Sequence, residues 1–119
     1  MSRWNGWWEQ RGLGRQEMRN LVLNIAPDGS VSGSGDDCIG PFTFSGRVAP
    51  EVMLVKQYVG RHTVLYAGTN SGEGLFGMWR IPGFDPFPES DTGRFALFPA
   101  QDCPAESIAL QELKPAPSG

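Results

Sequence analysis

The residues able to do chemistry are few. The densest group lies in Ser32–Gly46, SGSGDDCIGPFTFSG, where four glycines surround Asp36, Asp37 and Cys38. A phosphate-cradling loop needs a lysine and a hydroxyl after its last glycine, and this stretch has neither. A dinucleotide fingerprint needs a helix there, but PFTFSG reads as a strand. Adjacent aspartates in a strand point to opposite faces, so Asp36 and Asp37 make a poor cation site. The expected role of the stretch is a hairpin end with Asx-type hydrogen bonds. His62 is the single histidine. It has no cysteine pair or acidic partner at zinc-ligand spacing, and reads as a polar residue at a strand edge. No G-x-S-x-G elbow is present, Cys38 has acidic neighbours that do not activate a thiol, and nothing fixes the separation of Glu9, Asp36, Asp37 and Glu73 as a glycosidase pair. The chain is therefore expected to be no enzyme, with no metal and no cofactor.

Binding is the better expectation. Four tryptophans in a chain this short are unusual. Alternation places Trp8 and Trp7 on opposite faces of one strand, Trp8 inward. In EVMLVKQYV, Lys56 shares a face with Val52, Leu54 and Tyr58, and snorkelling of its ammonium past a rim is the favoured reading. Arg19 shares the parity of Leu21 and Leu23. Trp8, Gln10, Arg19, Lys56, Tyr58, Tyr66 and Trp79 are the expected lining of a site for a small, partly apolar molecule. If Lys56 and Arg19 both enter the cavity, that molecule is anionic. The alternative is a barrel filled by its own side chains that serves as an interaction or homo-oligomerisation module through the outer Trp4 and Trp7.

The elements that would hold these residues follow a period of two. MRNLVLNIA carries Leu21, Leu23 and Ile25 on one face, and Asp28-Gly29 signals a hairpin. SVSGSGDD, PFTFSGRV, EVMLVKQYV, HTVLYAGT, LFGMWRI and RFALFPA follow, with GWWEQ in front, giving eight candidate strands separated by turn residues. No segment reads as a crossover helix. The expected fold is all-β, an eight-stranded antiparallel up-and-down barrel, with a sandwich as second choice. Glycines at 6, 33, 35, 46, 68 and 77 are expected to make room for aromatic neighbours. Residues 1–103 form the one domain that this length supports. Residues 104–119 form a tail with a frayed end, either a short helix opened by Asp102 and Pro104 or one more strand.

The order GWWEQ, DGSVSGSG, FTFSGRV, VMLVKQY, TVLYAGT, LFGMWRI resembles that of the avidin-like and lipocalin-like (calycin) barrels over residues 6–99. The resemblance implies an eight-stranded barrel that holds a ligand. Trp79 matches the late-strand tryptophan of the streptavidin type, Tyr66 a strand aromatic, and Gln10 the place of a first-strand asparagine. Gly35 and Gly77 fall where a tyrosine and a hydroxyl are expected, so biotin binding is not implied.

Bulk properties exclude other classes. The net charge is −3 and Lys plus Arg total 10, with no basic stripe, which argues against a nucleic-acid partner. No apolar run reaches the ~20 residues of a spanning helix, and MSRWNGWWEQ has no signal-like core, so no membrane partner and a cytoplasmic location are expected. There Cys38 and Cys103 are expected to be reduced.

Overall fold

The computed structural model describes residues 2–82 and 92–100. Within them eight strands run β1 Ser2–Gln10, β2 Gly14–Ile25, β3 Ser30–Asp36, β4 Pro41–Val48, β5 Glu51–Tyr58, β6 Thr63–Asn70, β7 Leu75–Arg80 and β8 Thr92–Pro99. They close into an antiparallel barrel in chain order, with β8 returning to pair with β1. No helix occurs among the described residues. Strands β1 and β2 start earlier than hydrophobic alternation suggests, because Ser2, Arg3 and Gly14–Glu17 are polar or exposed yet continue the ladder.

Alternation does most of the work. In β5, Val52, Leu54, Lys56 and Tyr58 are buried while Glu51, Met53, Val55 and Gln57 are exposed. The inward set from all strands, with Leu23, Val31, Phe42, Phe44, Tyr66, Leu75, Phe95 and Leu97, fills the barrel as one cluster. Aromatic rings meet edge-on inside it: Phe42 and Phe44 lie 5.3 Å apart, and Phe44 and Tyr66 5.2 Å. Their opposite numbers in the ladder are small. Phe44 faces Gly33 and Phe42 faces Gly35, where an added Cβ would stand 2.9 Å from the Phe42 ring. Gly68 pairs with Gly77, and a Cβ on either would meet the neighbouring strand's backbone within 2.1 Å. The expected role holds at Gly35, and at Gly33 only as the ladder partner of Phe44; Gly6 makes room for Leu97, Met18 and Leu21, and Gly46, Gly68 and Gly77 for neighbouring backbone.

Strand β2 departs from simple alternation. Its register with β1 shifts between Arg3 and Gly6, and with β3 between Arg19 and Val22. Both shifts come from one extra residue near Asn20, whose φ of 54° is left-handed, a conformation that asparagine tolerates better than most residues. This bulge reverses parity. Met18 points inward before it, and Leu21 and Leu23 point inward after it. Arg19, expected inward by its parity with Leu21, is thereby turned outward. It is exposed and donates to Asp36 at 3.2 Å and to the Asp37 carbonyl at 3.2 Å.

The tryptophans of β1 sort as their alternation requires. Trp8 is buried; Trp7 is half-buried outside, with the Arg15 guanidinium 3.7 Å over its ring. Trp4 packs its ring against the core cluster. Cys38 is exposed and free. Cys103, Asp102, Pro104 and the expected tail lie outside the described residues.

Candidate functional site

The three hairpins Arg11–Leu13, Asp37–Gly40 and Val59–His62 all lie at one end of the barrel, the end to which Trp8, Tyr58 and Trp79 belong. The third is tight: the Arg61 amide donates to the Tyr58 carbonyl at 3.0 Å, with Gly60 at a φ of 70°. In the second, Asp37 follows the last residue of β3 and keeps the inward parity of Val31, Gly33 and Gly35. Its Oδ1 accepts from the Ile39 amide at 2.9 Å, the Asx turn expected of a hairpin end.

Its other oxygen does something that hairpin chemistry does not require. Asp37 Oδ2 accepts from Lys56 Nζ at 2.8 Å, from Tyr58 Oη at 2.7 Å and from Trp8 Nε1 at 3.1 Å. Lys56 donates a second bond to Tyr66 Oη at 3.2 Å. Both charged side chains are almost wholly removed from solvent, at 1% and 0% exposure. The ammonium also lies over aromatic faces, 4.3 Å from the Phe42 ring centre and 4.7 Å from that of Tyr58. Among the described residues no buried side-chain nitrogen or oxygen lacks a partner. The snorkelling expected of Lys56 is thus overturned. Its ammonium stays inside the barrel, where the carboxylate delivered by the Asp37–Gly40 hairpin and the Tyr66 hydroxyl satisfy it. The hairpin stretch around Asp37, set aside on motif grounds, supplies the anion of the site.

The electrostatics follow from this enclosure. Burial lowers the Lys56 pKa from 10.5 to about 8, with the Asp37 carboxylate opposing the fall. Burial alone would raise the Asp37 pKa, but the Lys56 charge and the bonds from Lys56, Tyr58 and Ile39 outweigh it and hold the carboxyl below its usual value. At neutral pH the two groups therefore form an ion pair. Burial, together with the Asp37 charge, pushes both Tyr58 and Tyr66 well above the ordinary phenol range, so both hydroxyls stay protonated.

Above the ion pair a cavity of about 40 Å³ remains, space for a few water molecules or a group of similar bulk. Six of the seven residues expected to line a site do line it: Trp8, Gln10, Lys56, Tyr58, Tyr66 and Trp79. Arg19 does not. It borders instead an open cleft on the outer wall beside the β2 bulge. Trp8 and Trp79 meet edge-to-face at 5.8 Å, and Trp79 Nε1 donates to the Glu9 carbonyl at 3.0 Å, which fixes both indoles. Ile39, His62, Val64 and Ile81 complete the wall. His62 tilts over Tyr58 with ring centres 5.0 Å apart. Ile39 belongs to no strand, so alternation could not place it, whereas His62 shares the parity of Val64 and Tyr66 and joins them on the wall. Asp37 could have been found, because the period of β3 continues through it.

The arrangement offers a mostly apolar, aromatic wall with one polar floor of fixed hydrogen-bonding groups, the usual composition of a small-ligand site. Among the described residues no three His, Cys, Asp or Glu side chains group as metal ligands, and no helix is long and apolar enough to cross a membrane. Comparison of the chain with protein families, curated proteins and solved structures finds no match.

Proposed function

We propose that the protein is a non-enzymatic, calycin-like barrel that binds a small, partly apolar molecule at the mouth described above. The observation that carries this reading is the cavity beside Trp79, walled by two ordered indoles and bordered by Lys56, Tyr58 and Tyr66. The charge of Lys56 is already compensated, so the favoured ligand is neutral, with an apolar part against Trp8 and Trp79 and a hydrogen-bonding end toward Lys56 or Tyr66. The volume limits it to a few non-hydrogen atoms. Four such atoms contribute at most about 6 kcal/mol, so the dissociation constant is no tighter than about 40 µM. A screen of small neutral alcohols, amides and carbonyl compounds at millimolar concentration, followed through the indole N–H signals of Trp8 and Trp79, tests this. Saturable shifts at those two signals are expected, and their absence across the set would refute the reading.

A second reading is favoured by a different surface. The interior is otherwise filled, and Met53, Phe76 and Met78 stand 66%, 42% and 49% exposed on the outer face of β5 to β7. Met53 and Met78 both pair with Ala67, which aligns them across three strands. An interaction module would use this face rather than Trp4 and Trp7, which pack against the core and under Arg15. Native mass spectrometry of wild type and Met53→Lys separates this reading from ligand binding. Oligomers that the substitution dissolves would support it, and a monomer in both would remove its homo-oligomeric form.

A further inference from the structure

The chain has eight arginines, Arg3, Arg11, Arg15, Arg19, Arg47, Arg61, Arg80 and Arg94, and only two lysines, Lys56 and Lys114. Lys56 is the only lysine among the described residues, and it is the one cation placed inside the barrel. Arginine is the better residue for a purely structural buried pair, because it stays charged and binds carboxylates through two bonds. Lysine differs in being able to give up a proton and become a nucleophile. The surroundings are arranged for that. Lys56 borders the cavity, and around its amine a proton acceptor lies 2.8 Å away at Asp37 and a hydroxyl 3.2 Å away at Tyr66. Of its three N–H groups two have these partners, and the third has no acceptor among the described residues.

We propose that Lys56 captures small aliphatic aldehydes as a protonated imine in the mouth cavity. This rests on the ligand-binding reading above and names the substrate class. The ammonium passes one proton to Asp37 Oδ2, and the freed lone pair attacks the aldehyde carbon. The carbonyl oxygen takes up protons and leaves as water, while Asp37 returns to its ionised form. In sum, one aldehyde and the Lys56 ammonium give one iminium and one water, with two of the three ammonium protons leaving in that water and no electrons exchanged. The iminium keeps the positive charge beside Asp37, so the product preserves the ion pair on which the interior depends. The apolar walls of Trp8 and Trp79 receive the alkyl group and keep bulk water, which would reverse the reaction, from the bond. With its pKa near 8, the amine is about 10% neutral at pH 7, against about 0.04% for an ordinary lysine.

The test treats the full-length protein with propanal and cyanoborohydride at pH 7, which reduces any iminium to a stable propyl-lysine, and maps it by peptide mass spectrometry. Propyl transfer to Lys56 at least tenfold faster than to N-acetyl-lysine amide is expected. The fast phase should be absent in Lys56→Arg, which keeps the charge and lacks the amine. Labelling confined to Lys114 and the N-terminus, or a fast phase that persists in Lys56→Arg, overturns the proposal. A parallel titration with propan-1-ol, followed at the Trp8 and Trp79 indole signals, separates the two levels. Propanol shifts without propanal capture overturn imine formation and leave the binding reading standing. Neither shifts nor capture overturns both.

Discussion

Replacing Asp37 by Asn tests whether the interior is organised around an ion pair. The substitution keeps an oxygen for Trp8 Nε1 and Tyr58 Oη but removes the negative charge 2.8 Å from Lys56 Nζ. Neither group has water to fall back on, since the pair is 1% and 0% exposed. Breaking one side of such a pair costs about 3–5 kcal/mol. The part of this cost that falls on Lys56 at pH 7 has a ceiling. Its pKa already stands near 8, and once driven to 7 or below the amine escapes by losing its proton, so the further fall of about 1 unit adds about 1.4 kcal/mol, and the remainder comes from the bonds that Asp37 loses. Lys56→Met should cost a similar 3–5 kcal/mol, because it strands the carboxylate instead. The double variant Asp37→Asn/Lys56→Met removes both charges and leaves a long apolar side chain among Phe42, Tyr58 and Tyr66. It should be more stable than the sum of the singles by about 3 kcal/mol or more, and close to or above either single variant. Urea unfolding at pH 7, read by both circular dichroism and tryptophan fluorescence, supplies all four corners of the cycle. Each single substitution should also lower the Tm by about 12–20 °C in a domain of this size. A coupling energy below about 0.5 kcal/mol, with single effects that add, would refute the claim that these two charges depend on each other.

Three further outcomes are expected. The Lys56 side-chain signal should titrate in NMR with a midpoint near 8 rather than 10.5; a midpoint above 10 would show an exposed amine. Stability should follow from the same groups. Between about pH 8 and 10.5 only the unfolded chain keeps the Lys56 proton, so this group makes stability rise with pH. Above the ordinary phenol pKa of 10.0, unfolded tyrosines ionise while Tyr58 and Tyr66 cannot, so stability should then fall; below the ordinary Asp value of 3.8 it should fall as Asp37 is protonated. Urea midpoints across this range check the profile, and in Lys56→Met the rise above pH 8 should vanish. Finally, Asn20→Val should destabilise by about 1–3 kcal/mol, because a β-branched residue resists a φ of 54°, while Asn20→Gly should be tolerated. Equal stability of the two variants in thermal unfolding would remove the bulge as the cause of the β2 register shift.

The barrel was legible because its strands alternate and its turns carry Gly where positive φ is needed, as at Gly29, Gly60 and Gly72. Val52, Leu54, Lys56 and Tyr58 of β5 point inward as their spacing dictates, and six lining residues followed from the same rule. The rule failed at Arg19 for a definable reason. A single bulge residue inverts parity, and nothing in MRNLVLNIA except an asparagine tolerant of left-handed φ marks where it sits. Asp37 was missed differently. Its inward parity could be read from Val31, Gly33 and Gly35, and so could that of Lys56. Two opposite charges on the inner faces of nearby strands have to find each other, since neither can remain buried alone. Ile39 lay beyond reach, because a hairpin residue takes its place from turn geometry and not from a period, whereas the parity of His62 with Val64 and Tyr66 was legible in HTVLYAGT.

The proposed binding mouth lies between Trp8 and Trp79. The most direct measurement is a titration of the nitrogen-labelled protein with propan-1-ol and related neutral small molecules, following all four indole N–H signals. Saturable shifts at Trp8 and Trp79, with Trp4 and Trp7 unmoved, are the predicted result. Silence at Trp8 and Trp79 up to tens of millimolar, or shifts confined to Trp4 and Trp7, would contradict it.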